Sequence, residues 1–377
     1  MTLRIGLVGC GNISDIYLIN APRFPGIRFV ACADLKLEAA QRQAEKYGLE
    51  VLSVGELLAR DDIDIVLNLT IPAAHAEVSL AVLESGKHVY SEKPLAASLD
   101  DGIAIRDAAK ARNLRVGCAP DTVLGAAMRE TRRQIDAGDI GKPVLGTAAV
   151  LSHGMEFWHP DPTFFFKAGG GPVFDMGPYY LSALVNLLGP IASVQASGMA
   201  AFATRTVTTP HSPIKGQEIK VDVLTSVQAL LSFESGAQIT FLASWDVWRH
   251  GLRPIEIHGT EGSMRVPDPN WFGGKVRTAI GRGDWKATST RDQAFGRANW
   301  PQGEDRYANY RGLGLAEMAS AIEAGRPHRA NGDVALHVLA VVSGIIEAAT
   351  TQKNVEIAER CARPEPLAET DAASLMA

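Results

Sequence analysis

The first residues able to do chemistry are Gly9-Cys10-Gly11-Asn12-Ile13-Ser14, which follow the apolar run Leu3–Val8. One glycine in this place makes a tight turn. The second lets backbone approach a pyrophosphate, and the helix that follows offers its first N–H groups to the phosphate oxygens. The third small position sets helix–strand packing, and here it holds Ser14. Asp34 ends the second apolar run, Phe29–Ala33, 25 positions after Gly9. A carboxylate there accepts hydrogen bonds from the adenosine ribose hydroxyls and repels a 2′-phosphate, which favours NAD over NADP. Gly9, Gly11, Asn12, Ile13 and Asp34 are therefore expected to bind the dinucleotide. A purely structural glycine turn beside a surface aspartate is the competing reading.

A second set lies in the middle of the chain. Gly169-Gly170-Gly171 precedes Asp175 and Tyr179. Glycines let backbone come close to a ligand, and a spacing of four places Asp175 and Tyr179 on one face if the segment is a single helix. The plainer alternative makes Asp175 a helix cap and Tyr179 a core aromatic. A tyrosine ordinarily titrates near 10, so as a proton carrier near neutrality it needs a cation beside it.

Glu92-Lys93-Pro94, preceded by Ser85-Gly86-Lys87-His88-Val89-Tyr90, resembles the signature of the glucose–fructose oxidoreductase/inositol dehydrogenase (Gfo/Idh/MocA) family. Leu69-Thr70-Ile71-Pro72-Ala73-Ala74-His75 resembles that family's cofactor loop at a strand end. Gly169–Tyr179 resembles its second-domain catalytic segment, and Gly259-Thr260-Glu261-Gly262 a turn between late strands. The resemblance spans about residues 3–350 in the family's order.

It implies that Lys93 stands where cofactor and substrate meet and helps move the hydroxyl proton. Desolvation and a positive nicotinamide ring are expected to depress its pKa. It implies catalytic roles for Lys93, Asp175 and Tyr179, and cofactor contacts from Thr70, Pro72, His75, Glu92 and Lys93. Most of the family has His where Tyr179 stands, so the identity of the base is open. Substrate contacts are expected from His153, Glu156, Trp158 and His159. Trp245 and Arg249, in the run Trp245–His250, join them, because aromatic faces beside hydrogen-bonding groups suit a sugar. Lys167 falls where many members carry an Arg near the cofactor. No metal ligand set is expected.

Two functions fit. One is an NAD-dependent dehydrogenase acting on the CH–OH group of a sugar, polyol or glycoside, with Lys93, Asp175 and Tyr179 managing the proton. The other is an NAD-dependent glycoside hydrolase that oxidises, eliminates, adds water and reduces again. The Trp-, His- and Arg-rich loops suit a larger or anionic glycoside. A non-catalytic, ligand-sensing relative would require loss of Lys93 or of the phosphate loop, and both are present.

The elements that must hold these residues are legible as periodicity. Short apolar strands (Leu3–Val8, Arg28–Ala33, Ile63–Leu69, His88–Ser91, Arg115–Cys118) alternate with helices such as Leu37–Tyr47 and Ala74–Glu84, the pattern of a doubly wound parallel sheet. From about residue 123 the pattern changes. Helices at Leu124–Ala137, Phe174–Leu188, Tyr310–Ala324 and Asp333–Thr350 accompany longer alternating runs at Pro143–Ser152, Ile191–Met199, Val221–Phe233, Gln238–Ser244 and Pro254–Gly259. This predicts an α+β domain with a large, mostly antiparallel sheet. The expected division is an NAD-binding Rossmann domain over 1–122, a substrate-binding and oligomerisation domain over 123–360, and a loose tail over 361–377. Residues 267–305 read as a long loop.

The chain of 377 residues is 46% hydrophobic and 21% charged, with net charge −5. That balance gives no electrostatic reason to expect nucleic acid or a membrane as partner. No apolar run reads as bilayer-spanning, and the strand-like start leaves no room for a signal peptide, so the cytoplasm is expected. Cys10, Cys32, Cys118 and Cys361 lack disulfide or zinc spacing. A homodimer or homotetramer is what the resemblance implies.

Overall fold

The alternation of short buried strands with helices produces a six-stranded, all-parallel sheet in the first third of the chain. Its strands are β1 (Leu3–Val8), β2 (Ile27–Ala33), β3 (Glu50–Val51), β4 (Ile65–Asn68), β5 (His88–Ser91) and β6 (Val116–Cys118). They lie in the order β3-β2-β1-β4-β5-β6. The order reverses between β1 and β4, and ligands of such sheets bind in the crevice beyond the strand ends at that point. The connecting helices are α1 (Asn12–Asn20), α2 (Leu37–Tyr47), α3 (Val54–Ala59), α4 (His75–Glu84) and α5 (Leu99–Arg112). The computed structural model describes residues 2–376, so Met1 and Ala377 of the expected segments lie outside the described residues.

The second sheet has nine strands. They are β7 (Pro143–Leu151), β8 (Ile191–Met199), β11 (Ser226–Phe233), β12 (Gln238–Ser244), β13 (Ile255–Gly259), β14 (Gly262–Val266), β15 (Lys275–Ile280), β16 (Lys286–Ser289) and β17 (Val355–Glu356), with β9 (Thr204–Thr206) and β10 (Glu218–Lys220) forming a separate hairpin. Among the described residues only β7 and β12 of this sheet pair parallel; its other pairings are antiparallel. Alternate residues such as Val227, Ala229, Leu231 and Phe233 point to one face and are buried. Helices α6 (Ala126–Asp136), α7 (Gly171–Asp175), α8 (Gly177–Leu188) and α10 (Gly332–Thr351) accompany this sheet, while α9 (Leu313–Glu323) turns back to the first one. Leu313, Leu315 and Met318 of α9 share a core with Ile5 and Leu7 of β1.

Three expectations need correction. Residues 267–305 are not one long loop, because β15 and β16 extend the large sheet to its edge. Phe272, Phe295 and Tyr310 anchor the rest of the region in the first sheet's core. The tail is not loose. Its helix α11 (Glu369–Ser374) docks there too, with Leu367, Ala372 and Leu375 buried, and Glu369 pairs with Arg129 at 2.5 Å. Finally, α10 is long and apolar enough to cross a bilayer by length and composition. It is mostly buried, packed between α5, α8 and β8, as the core helix that joins the two sheets.

Candidate active site

Backbone geometry prepares the phosphate loop. Gly9 has φ +97°, and a side chain there would meet the Leu69 carbonyl group at 2.5 Å. At Gly11 an added Cβ would touch nothing within 4 Å. The space before α1 is open, and no side chain caps that helix. A dinucleotide phosphate fits such a cradle. Ser14, in the third motif position, is buried, and its hydroxyl donates to the Gly11 carbonyl at 2.6 Å. Asp34 is held at the rim by the N–H groups of Cys10 (2.7 Å) and Lys36 (2.8 Å), so one carboxylate ties the phosphate loop to the end of β2.

Across the switch point, Asn68 organises the loop after β4. Its amide nitrogen donates to the His75 carbonyl and Ser79 Oγ, both at 3.1 Å. Its Oδ1 accepts from the Thr70 hydroxyl at 2.7 Å. Thr70 and Pro72 remain partly exposed on that loop. His75 does not face the crevice as a cofactor contact should. Its ring is buried, 2.6 Å from the Pro94 carbonyl and 3.0 Å from that of Thr70, and burial holds it below the usual histidine range. It clamps the two loops together. Glu92 is likewise buried, accepting from Tyr17 OH (3.0 Å) and from the Lys93 backbone N–H (2.9 Å).

Lys93, ahead of a cis bond to Pro94, reaches from the first sheet to the second. Its ammonium donates to Asp175 Oδ1 and to the Asp175 carbonyl, both at 2.8 Å. It lies 5.2 Å from the centre of the Tyr179 ring. The expected depression of its pKa is not found. Burial opposes the charge, but Asp175, Tyr179 and Glu92 together outweigh it and raise the lysine above its ordinary value. Asp175 and Tyr179 are not on one helix either. Pro178 cannot supply a helical N–H, and the chain breaks at Met176, so Asp175 closes α7 and Tyr179 stands in the first turn of α8. The two side chains converge through Lys93 rather than through helical periodicity.

Arg311, which the sequence reading missed, completes the group. It is buried and donates to Asn270 Oδ1 (2.7 Å), Asn309 Oδ1 (2.8 Å) and, more weakly, Tyr179 OH (3.4 Å). Burial disfavours its charge, but Tyr179, Glu92 and Asp121 outweigh it and raise its pKa. Asp121 accepts from Gly312 N (2.8 Å) and Gly314 N (3.1 Å), and burial pushes its carboxyl up to about 6. No periodic signal marks Arg311, and the glycines that follow it, Gly312 and Gly314, do not name a partner. Only its position just before α9 puts it here.

The expected substrate residues separate into two groups. His153, Glu156 and Arg249 line one cavity in the second domain. Trp158 and His159 lie outside that lining, with Trp158 exposed and His159 edge-on to Phe164 and Phe165. Trp245 is core. It is buried against Phe165 and Phe166 and contacts no open space, because the hairpin β9–β10 covers it. Lys167 pairs with Asp222 at 2.8 Å.

Two family models match the chain. One, an oxidoreductase family with an NAD-binding Rossmann fold, covers residues 3–119, and the other, the GFO/IDH/MocA C-terminal domain, covers 128–265. The chain is 29% identical to 1,5-anhydro-D-fructose reductase of Ensifer adhaerens, over 94% of this chain and 98% of that one. It is 30% identical to inositol 2-dehydrogenase 3 of Saccharopolyspora erythraea, over 76% and 80%. Among solved structures, levoglucosan dehydrogenase without ligand has the same fold at a TM-score of 0.80 and 22% identity, covering 96% of this chain and all of that one.

Proposed function

Since the chain belongs to the GFO/IDH/MocA family of NAD-binding oxidoreductases, we propose that it oxidises or reduces the CH–OH group of a sugar, polyol or glycoside. Lys93, Asp175 and Tyr179 handle the hydroxyl proton. NAD, when bound, accepts or returns the hydride. Gly9, Gly11, Asn12 and Ile13 would hold its phosphates and Asp34 its adenosine ribose, with Thr70 and Pro72 along the crevice.

The observation that carries the reading is the ammonium of Lys93. It has three N–H donors. Asp175 takes two, and the third is left for a substrate hydroxyl where the two sheets meet. Because Asp175 keeps the lysine charged, Lys93 orients and polarises that hydroxyl rather than removing its proton at neutral pH. Tyr179 sits between Lys93 and Arg311, whose cationic groups lie 5.2 and 5.8 Å from its ring centre, with the Arg311 guanidinium 3.4 Å from its hydroxyl. This arrangement replaces the histidine that most of the family carries. The similar proteins whose names specify sugar and polyol substrates support the same class of alcohol.

The test is a panel of sugars, polyols and aryl glycosides incubated with NAD, followed by NADH absorbance and by product analysis. Stoichiometric NADH with a ketone product is expected. Release of aglycone with no accumulation of NADH would replace the dehydrogenase by the redox-neutral hydrolase.

A further inference from the structure

The proposed proton chemistry leaves one large opening unused. It is a cavity of about 930 Å³ at the end of the nine-stranded sheet where β7 and β12 finish. That is within the range of sites that hold a whole small-molecule ligand. Three segments wall it: the loop after β7 with His153 and Glu156, the hairpin β9–β10 with Phe202 and Arg205, and the loop after β12 with Trp248 and Arg249.

The floor is charged and rigid. Arg205, 4% exposed, donates to Glu156 Oε1 at 2.8 Å, to the Trp245 carbonyl at 3.0 Å and to the Asp246 carboxylate. Asp246 also accepts from Thr225 Oγ1 (2.7 Å) and Ser226 Oγ (2.6 Å). Three polar atoms of the lining residues nevertheless have no partner, namely Glu156 Oε2, Arg205 Nε and His153 Nδ1. Buried atoms left in this state are costly. The rim is aromatic. Trp248 is 77% exposed, with the His153 ring stacked on it at 3.3 Å, and Phe202 is 46% exposed. The Arg205 guanidinium lies 4.6 Å from the centre of the Phe202 ring, so the exposed Trp248 is the aromatic surface left for the C–H face of a sugar ring, whose hydroxyls need polar partners.

The floor of this cavity is tied to the segment that carries Asp175. Thr225, which donates to Asp246 under the floor, follows Leu224. The Leu224 carbonyl lies against Gly171, where an added Cβ would be 3.1 Å away. Gly171 opens α7 and Asp175 closes it. Four steps of 1.5 Å separate the two by about 6 Å.

We propose that the cavity is a subsite for a second sugar ring, so that the substrate is a disaccharide-sized glycoside whose first ring presents its carbinol to Lys93. The proposal rests on the sugar-oxidoreductase reading above.

The experiment compares glucose, galactose and myo-inositol with maltose, cellobiose and lactose on the full chain with NAD. NADH formation and tryptophan fluorescence are read for the native protein and for Trp248→Leu. Trp248 is too exposed for its loss to unfold the chain, which the melting temperature verifies. At least one disaccharide should quench the native fluorescence and be used with kcat/KM about tenfold above its constituent monosaccharide, the size of one stacking contact. In Trp248→Leu that ratio should fall to near one and the quenching should vanish. Equal use of monosaccharide and disaccharide overturns the subsite, as does a ratio untouched by Trp248→Leu or the absence of quenching by every disaccharide. Quenching that depends on Trp248 with no NADH from any sugar would leave the subsite standing and remove the dehydrogenase. NADH formation with equal ratios would do the reverse.

Discussion

Lys93 and Arg205 are both buried cations held by carboxylates, each beside an opening, and they differ in what is left over. Lys93 spends two N–H groups on Asp175 and keeps a third, and Asp175 itself is about one-fifth exposed. Arg205 is fixed by two carboxylates and a carbonyl, and Glu156 and Asp246 are about nine-tenths buried. A lysine ammonium is a flexible point donor that can pass hydrogen bonds to a reacting group. A guanidinium is a planar fork that never loses its proton and serves as a scaffold. The same charge pattern thus leaves a free donor in one place and builds a foundation in the other.

Removing each cation should separate the two roles. Lys93→Ala should lower kcat by about a thousandfold, in the range of a lost acid–base or orienting group. NAD binding, measured by fluorescence, should persist, and the melting temperature should change little because Asp175 can reach water. Turnover near that of the native protein would remove Lys93 from the chemistry. Arg205→Met should do the opposite. It strands Glu156 and Asp246 without their cation and should cost about 3–5 kcal/mol of stability by denaturant unfolding. Adding Glu156→Gln and Asp246→Asn should restore much of that loss, since neutral partners no longer need the cation. If Arg205→Met is neutral for stability, the cluster is not the foundation of the cavity.

The two clusters were unequally legible in the sequence. The phosphate loop announces itself through its turn geometry, and Lys93 and Asp175 through segments that resemble the family's motifs. Strands such as Leu3–Val8 and Ile191–Met199 are legible for the same reason, because a run that is buried on alternate residues or throughout carries its own period. Arg205 and Arg311 carry no such mark. Arg205 acquires its partners from residues 156 and 246, and Arg311, besides its neighbour Asn309, from residues 179 and 270, far away in the chain. Trp245 misled because an aromatic beside charged residues suits a sugar platform equally well in sequence, and only the hairpin that covers it makes it core. β16 was missed because all four of its residues are exposed at a sheet edge. The strand expected from Val221 begins at Ser226, since Asp222 instead donates its backbone N–H to Phe166 and fastens the hairpin.

A titration sharpens the contrast on the Lys93 side. Asp121 has its pKa raised by burial from 3.8 to about 6. The folded state therefore holds that proton more tightly than the unfolded chain does. Its contribution to stability is full below about pH 4 and is lost as pH rises through 6. The size is about 3 kcal/mol, at 1.36 kcal/mol per pH unit. Asp121→Asn keeps an acceptor for Gly312 and Gly314 without the charge. Compared at pH 4 and pH 7, the native protein should lose stability relative to this variant by about that amount. A difference independent of pH would show that Asp121 does not titrate in this window.

The smallest effect belongs to Asp34, which is a tether in the structure and the proposed recognition group for the adenosine ribose. Its carboxylate ties Cys10 N and Lys36 N together, and its charge is what should repel the 2′-phosphate of NADP. Asp34→Asn keeps acceptor capacity and drops the charge, while Asp34→Ala drops both. If charge sets selectivity, the ratio of kcat/KM for NAD over NADP should fall about tenfold in both variants. If tethering matters as well, Asp34→Ala alone should further raise KM for both cofactors. A ratio unchanged in Asp34→Asn would reduce Asp34 to a tether, a fixed carboxylate of the Arg205 kind, and move cofactor choice to another part of the crevice.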